Sequence, residues 1–284
     1  MNSRLPHQPA QPFFLKVESG ERFCIYYPPV KVKKCLGSFI YIHPFAEEMN
    51  KSRRMIAMQS KALSELGYAV LQIDLFGCGD SSGDFVDATW EIWLEDIAAA
   101  EKWLMEKQQH SSIGLWGLRL GGTLALNYAK KSSSKFSTII LWQPVVNTEN
   151  YLNQFLRLHL AGEMIAGEGR RATGTSHLRN ELAAGYSVEI AGYQLSPALA
   201  RSVSELNTTN LIVTSCPVHW FDITSESKKM LSSASENLFH LWRSQGVDLQ
   251  VHFISCSQFW ASQDITICPE LTSVMAELLS NNLA

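Results

Sequence analysis

The residues best able to do chemistry in this 284-residue chain gather in three short stretches. In "GLRLGG" (117–122) Arg119 stands among glycines, between an apolar run of strand length and an amphipathic run of helix length. A guanidinium stays protonated at any physiological pH and has no lone pair to offer a carbonyl, so Arg119 is no nucleophile. At a helix N-terminus, where unpaired N–H groups and the helix dipole already favour negative charge, it makes an anion site instead. A carboxylate, a phosphate or a uronic acid would fit. In "HPFAEE" (43–48) His43 is the candidate for proton transfer, and Phe45, Glu47 and Glu48 are candidate ligand contacts. The third stretch, "DLFGCGDSSGDF" (74–85), brings Asp80, Ser81, Ser82 and the Cys78 thiol to a sharp glycine turn.

Each of these residues also has a purely structural use. Arg119 is either neutralised internally by Glu47, Glu48 or Asp80 or held for a ligand, and the two states exchange when a ligand arrives. His43 either moves a proton or packs its loop. Ser81 and Ser82 are candidates for a displaced nucleophile, although neither has an evident base, and nothing in the sequence lowers the pKa of Cys78. Leu120, Trp142 and Gln143 complete the expected ligand lining. The glycine loop follows the second predicted strand as G-x-G-x-x-x-G and does not open a helix after the first, which argues against dinucleotide binding.

The elements that must position these residues alternate between strand and helix, the pattern of an α/β fold with a mostly parallel, doubly wound sheet. Strands are expected at 35–42, 68–74, 112–117, 136–143, 217–223 and 247–254, and helices at 51–66, 88–108, 120–131, 226–245 and 269–281. Trp90, Trp93, Leu94, Ile97, Trp103 and Leu104 recur at helical spacing and predict a core-facing stripe. His219 and His252 fall inside strands, as core histidines. Residues 1–34 read as an N-terminal extension with the first edge strand or strands, and 35–144 with 206–284 as the core. The stretch 145–205 is too long for a loop, which takes about two to six residues in such a unit, and predicts an inserted helical cap. Within it "AGEGRRATGTS" predicts a mobile connection.

Composition narrows the partners. With 46% hydrophobic and 18% charged residues and a net charge of −3, the chain lacks the basic field that nucleic acid requires. A small-molecule or acylated ligand, anionic in one version, is the expected partner, with no cofactor. No apolar run reaches the ~18 residues of a membrane span, and residues 1–21 hold no signal peptide, so a cytoplasmic location is expected. The six cysteines show neither a CxxC pair nor metal spacing, which predicts reduced, packed thiols without disulfide or zinc.

Taken together and in this order, "HPFAEE", "DLFGCGDSSG" and "GLRLGG" resemble the oxyanion loop, the glycine loop and the nucleophile elbow of α/β-hydrolases. More narrowly, "HPFAEEMNKSRRM", "LQIDLFGCGDSSGDF", "LWGLRLG", "LWQPVV" and "AGYQLSP" are similar to the second type of exosortase A system-associated hydrolase. The resemblance implies an α/β-hydrolase fold with a cap. It also implies hydrolysis of an ester, thioester or similar acyl bond in a pathway touching exopolysaccharide or sorted proteins. It further places the triad acid at Glu226 and the triad histidine in the loop after the last strand. That loop reads "SCSQFWASQD" and holds no histidine, and Arg119 occupies the serine's place. The contrasting reading is a pseudo-hydrolase that binds its ligand against Arg119.

Overall fold

In the computed structural model, which describes residues 9–30, 34–108, 112–165, 174–225 and 230–281, the apolar runs become the centre of an eight-stranded sheet. The chain opens with β1 (Gln11–Val17) and β2 (Gly20–Tyr27), then β3 (Ser38–Ile42), α1 (Glu47–Leu66), β4 (Ala69–Ile73) and α2 (Trp90–Gln108). Next come β5 (Ile113–Leu118), α3 (Leu120–Lys131), β6 (Ile139–Trp142), α4 (Thr148–Ile165) and α5 (Ser176–Ala183). A small hairpin of β7 (Val188–Ile190) and β8 (Tyr193–Leu195) leads to α6 (Pro197–Ser204). The chain closes with β9 (Val218–Thr224), α7 (Ser233–Ser244), β10 (Leu249–Ser255) and α8 (Pro269–Asn281).

The strand order is β1-β2-β4-β3-β5-β6-β9-β10. All neighbours from β4 to β10 run parallel, and only the β1–β2 and β2–β4 pairs are antiparallel. Parallel strands covered on both faces carry apolar residues at consecutive positions, which is why these segments show unbroken hydrophobic runs. Along β5, Leu115 turns to the core under α2 and α3, and Trp116 to the core under α1 and α8. Trp90, Trp93, Ile97 and Leu104 of α2 are buried in the first of these cores.

Helix ends follow local chemistry. Helix α1 starts at Glu47, four residues earlier than its periodicity predicts, and stops at Gly67 in the left-handed conformation. Ser232 caps α7 through the Ser235 N–H, so that helix begins later than 226. Between β6 and β9 the chain makes the excursion α4–α5–β7–β8–α6. Its hairpin turns through Ala191 (φ 50°) and Gly192 (φ 83°), a two-residue connection suited to strand twist. Residues 166–173 of the expected mobile connection lie outside the described residues.

One expectation is overturned. Cys256 and Cys268 are joined in a disulfide with Cα atoms 6.0 Å apart, closing the loop between β10 and α8. The spacing gave no sign of it because the pairing comes from the loop doubling back to start α8. Cys24, Cys35, Cys78 and Cys216 are free. Among the described residues, no helix is long and apolar enough to cross a membrane.

Candidate functional site at the strand ends

The register of the parallel strands sets Ile42, Gly117 and Leu141 side by side, and Leu118, Trp142 and Phe221 one step further. The residues just past these ends therefore meet at one edge of the sheet, where open α/β sheets bind ligands. Arg119 is the first residue beyond β5, at φ 54° and ψ −122°. A Cβ on Gly121 would lie 2.3 Å from the Ile42 carbonyl oxygen, and one on Gly117 would lie 2.4 Å from the Gly122 nitrogen. The glycines thus let α3 start hard against the sheet, and Arg119 takes the backbone strain of the turn. Ala46 after β3 (φ 50°) and Gln143 after β6 (φ 44°) share that strain. Non-glycine residues in this region cost about 1–3 kcal/mol each and cluster at functional sites.

Arg119 Nε donates to Glu48 Oε1 at 3.3 Å, and its Nη1 donates to the Gln143 carbonyl at 3.4 Å. The other oxygen of Glu48 accepts the Tyr151 hydroxyl at 2.8 Å. The guanidinium lies between two rings, 5.3 Å from the Tyr151 centroid and 5.6 Å from that of Trp260. Side-chain exposures of 17% for Arg119 and 12% for Glu48 describe a pair nearly closed off yet touching solvent. Burial pushes the Glu48 carboxyl above the usual carboxylate range, against the opposing pull of Arg119 and of the Tyr151 hydrogen bond. Burial and the Glu48 charge push the Tyr151 phenol far up, so Tyr151 stays a donor.

Of the three carboxylates offered by the sequence, Glu48 is the one hydrogen-bonded to Arg119. Glu47 has a buried Oε2 without a hydrogen-bond partner, and Asp80 is exposed beside the Arg53–Asp74 pair (2.8 Å). Tyr151 was not foreseen, since it belongs to the insertion and its one signal is a place in the first turn of a helix.

Several expected site residues are structural. His43 is buried, and both ring nitrogens are engaged: Nδ1 donates to the Pro44 carbonyl (2.7 Å) and Nε2 accepts the Leu75 N–H (3.1 Å). Burial lowers its pKa, in keeping with a ring that donates at Nδ1, accepts at Nε2 and packs the loop. Ser81 Oγ donates to the Asp74 carbonyl (2.5 Å) and accepts the Phe23 N–H (2.9 Å), and Ser82 Oγ accepts the Glu21 N–H (2.9 Å). Both serines clasp the glycine loop to β2. Cys78 is buried and its thiol pKa is pushed far up, chiefly by desolvation, which excludes a reactive thiolate.

Trp142 is wholly enclosed between Trp116 (4.7 Å) and Phe259 (6.2 Å), and Leu120 and Phe45 are buried, lining a small cavity beside His43. Gln143 turns its side-chain oxygen to the Ile223 N–H (2.5 Å) and shares a hydrogen bond with the buried carboxyl of Asp222. Glu226 lies outside the described residues. The loop expected to hold a triad histidine, closed by the disulfide, places Trp260 against Arg119 instead.

The family described as Serine aminopeptidase, S33 (Hydrolase_4) matches residues 36–220 of this chain. A stretch of 167 residues is 28% identical to human "Protein ABHD12B", covering 51% of this chain and 43% of that one, less than half of that protein's length. In fold, the chain is similar to Est1E from Butyrivibrio proteoclasticus with bound ferulic acid (TM-score 0.66, 16% identity, 95% and 97% of the two chains covered). A thermostable carboxyl esterase from Bacillus coagulans in complex with glycerol also resembles it (TM-score 0.64, 15% identity, 96% and 99% covered). So does a proline iminopeptidase from Mycobacterium smegmatis (TM-score 0.61, 14% identity, 95% and 98% covered).

Proposed function

The chain belongs to the serine aminopeptidase S33 family of α/β-hydrolases, and from that membership we propose that it is a non-catalytic member that binds a small anionic or acylated ligand at Arg119. The observation that carries this reading is the guanidinium at the strained strand-to-helix turn, where acyl transfer on this fold presents its serine. Acyl transfer also needs a base within hydrogen-bond reach of the nucleophile. His43 has no free nitrogen to serve as one, and residues 255–268 include no histidine.

A guanidinium flanked by two aromatic rings suits a flat carboxylate, and Est1E, similar in fold, is seen with bound ferulic acid, itself a carboxylic acid. The proposal extends to a ligand from a pathway of cell-surface polysaccharide or sorted proteins, and what supports that part is the similarity of five short stretches to exosortase A system-associated hydrolases. The family's hydrolytic activity on an ester or similar acyl bond is the alternative reading, and it requires a nucleophile other than residue 119.

Intact-mass analysis after fluorophosphonate treatment separates the two. The expected result is no adduct specific to the native protein when compared with a heat-denatured control. An adduct on the native form alone, mapped to one serine, would replace binding with hydrolysis. In the same preparation, Arg119→Ala is expected to lose about 1.5–3 kcal/mol of benzoate affinity, the range for a charge-assisted hydrogen bond. Unchanged affinity would remove Arg119 from the site.

A further inference from the structure

Glu48 already holds the position a ligand's carboxylate would want. Each of its oxygens takes one donor, Oε1 from Arg119 and Oε2 from Tyr151, and the aromatic rings of Tyr151 and Trp260 flank the cation. We infer that Glu48 is a built-in stand-in for the ligand: an incoming carboxylate takes its place on Arg119 and Tyr151, and Glu48 retires as the neutral acid, so that binding takes up one proton. The inference rests on the proposed binding function and adds to it the ligand's class, a monocarboxylate, and its coupling to pH.

The exchange balances. A free carboxylate, one proton from solvent and the Glu48–Arg119 ion pair become a ligand–Arg119 ion pair and an uncharged Glu48 carboxyl. The proton is needed because of what surrounds Glu48. Its neighbour Glu47 is a second carboxylate with an unpartnered buried oxygen, influenced by Lys51 on the next turn of α1. Asp222 is a third carboxyl, reached through Gln143. Arg53, further along α1, is committed to Asp74 at 2.8 Å. From α4 the titratable group facing Glu48 is Tyr151, and from the β5–α3 turn it is Arg119. The loop after β10 presents the uncharged Trp260.

A ligand anion on Arg119 would therefore leave several carboxyls sharing one cation in a poorly solvated place. Protonating the displaced one is the least costly outcome. Burial already raises the Glu48 carboxyl while Arg119 holds it down, and losing Arg119 to the ligand removes that restraint.

The linkage has a definite sign. Between the Glu48 pKa of the free protein and its higher value in the complex, binding takes up a proton and affinity falls as pH rises, by up to about tenfold per unit. Above the upper value affinity is flat, and at low pH it falls again as the ligand itself protonates. Benzoate titrated into the whole protein across this range, with the heat compared in two amine buffers of different ionisation heat, reads proton uptake directly. Glu48→Gln is expected to bind benzoate about tenfold more tightly at neutral pH, without proton uptake and with a flat pH profile in the same window.

Binding that Arg119→Ala weakens but that takes up no proton in the wild-type protein would overturn the exchange and leave the binding function standing. Failure of both the wild type and Glu48→Gln to bind benzoate at any pH would overturn the two together. Should Glu48→Gln fail to fold, the wild-type buffer comparison alone decides.

Discussion

Asp96→Ala is expected to destabilise the protein by about 3–5 kcal/mol, because it leaves a buried guanidinium without its counter-charge. Arg22 on β2 is wholly enclosed, and its Nε donates to Asp96 Oδ1 of α2 at 2.6 Å. The second oxygen of Asp96 accepts the Phe76 N–H at 2.7 Å, so the same carboxylate fixes the start of the glycine loop. Arg22 also lies over the Phe76 ring at 4.9 Å. Burial pushes the Asp96 carboxyl up, opposed by the Phe76 N–H and by Arg22. The cost therefore belongs to breaking the pair: Arg22→Met with Asp96→Leu is expected to recover most of the loss. Urea unfolding of the three proteins measures this, and a loss below about 1 kcal/mol for Asp96→Ala would contradict it.

The second large effect is expected at the disulfide. Cys256 and Cys268 are 12 residues apart, and cross-linking a loop of that size stabilises by about 3 kcal/mol through restriction of the unfolded chain. The loop it closes carries Phe259 and Trp260, both buried, and Trp260 is one wall of the Arg119 site. Cys256→Ser with Cys268→Ser should lower the melting temperature and loosen that wall, changing the tryptophan fluorescence. Thiol counting provides the direct check. The denatured, unreduced protein should titrate only Cys24, Cys35, Cys78 and Cys216, and titration of all six without reductant would show the pairing to be wrong.

What was legible in the sequence follows from which forces act locally. Helices α3 and α8 begin and end where periodicity and breakers place them, since capping and amphipathic spacing are written in neighbouring residues. The central strands were visible as apolar runs because both of their faces are covered. By contrast, β1 has an exposed, half-polar pattern and reads only as a vague edge. Its partner β2 is defined by antiparallel pairing with β4, in which Cys24 meets Ile73, 49 residues further on, a contact no local pattern encodes.

The site divides in the same way. Arg119 and a short choice of carboxylates were readable from the loop positions, whereas Tyr151 and the Cys256–Cys268 bond depend on segments far apart in the chain coming together. His43, Ser81 and Ser82 illustrate the opposite case. Their residue types suggest catalysis, and only the hydrogen-bond partners reveal that each helps to hold a loop.

The elbow's geometry has a consequence for how this fold can be reused. The left-handed turn at residue 119 is imposed by Gly117 and Gly121, which bring α3 against the end of β3, and it persists with an arginine in place. The turn therefore works as a mounting bracket whose shape is independent of the tool it holds. Any side chain placed there is thrust toward the mouth of the sheet, so a change of one residue alters the chemistry on display while the scaffold beneath it stays the same.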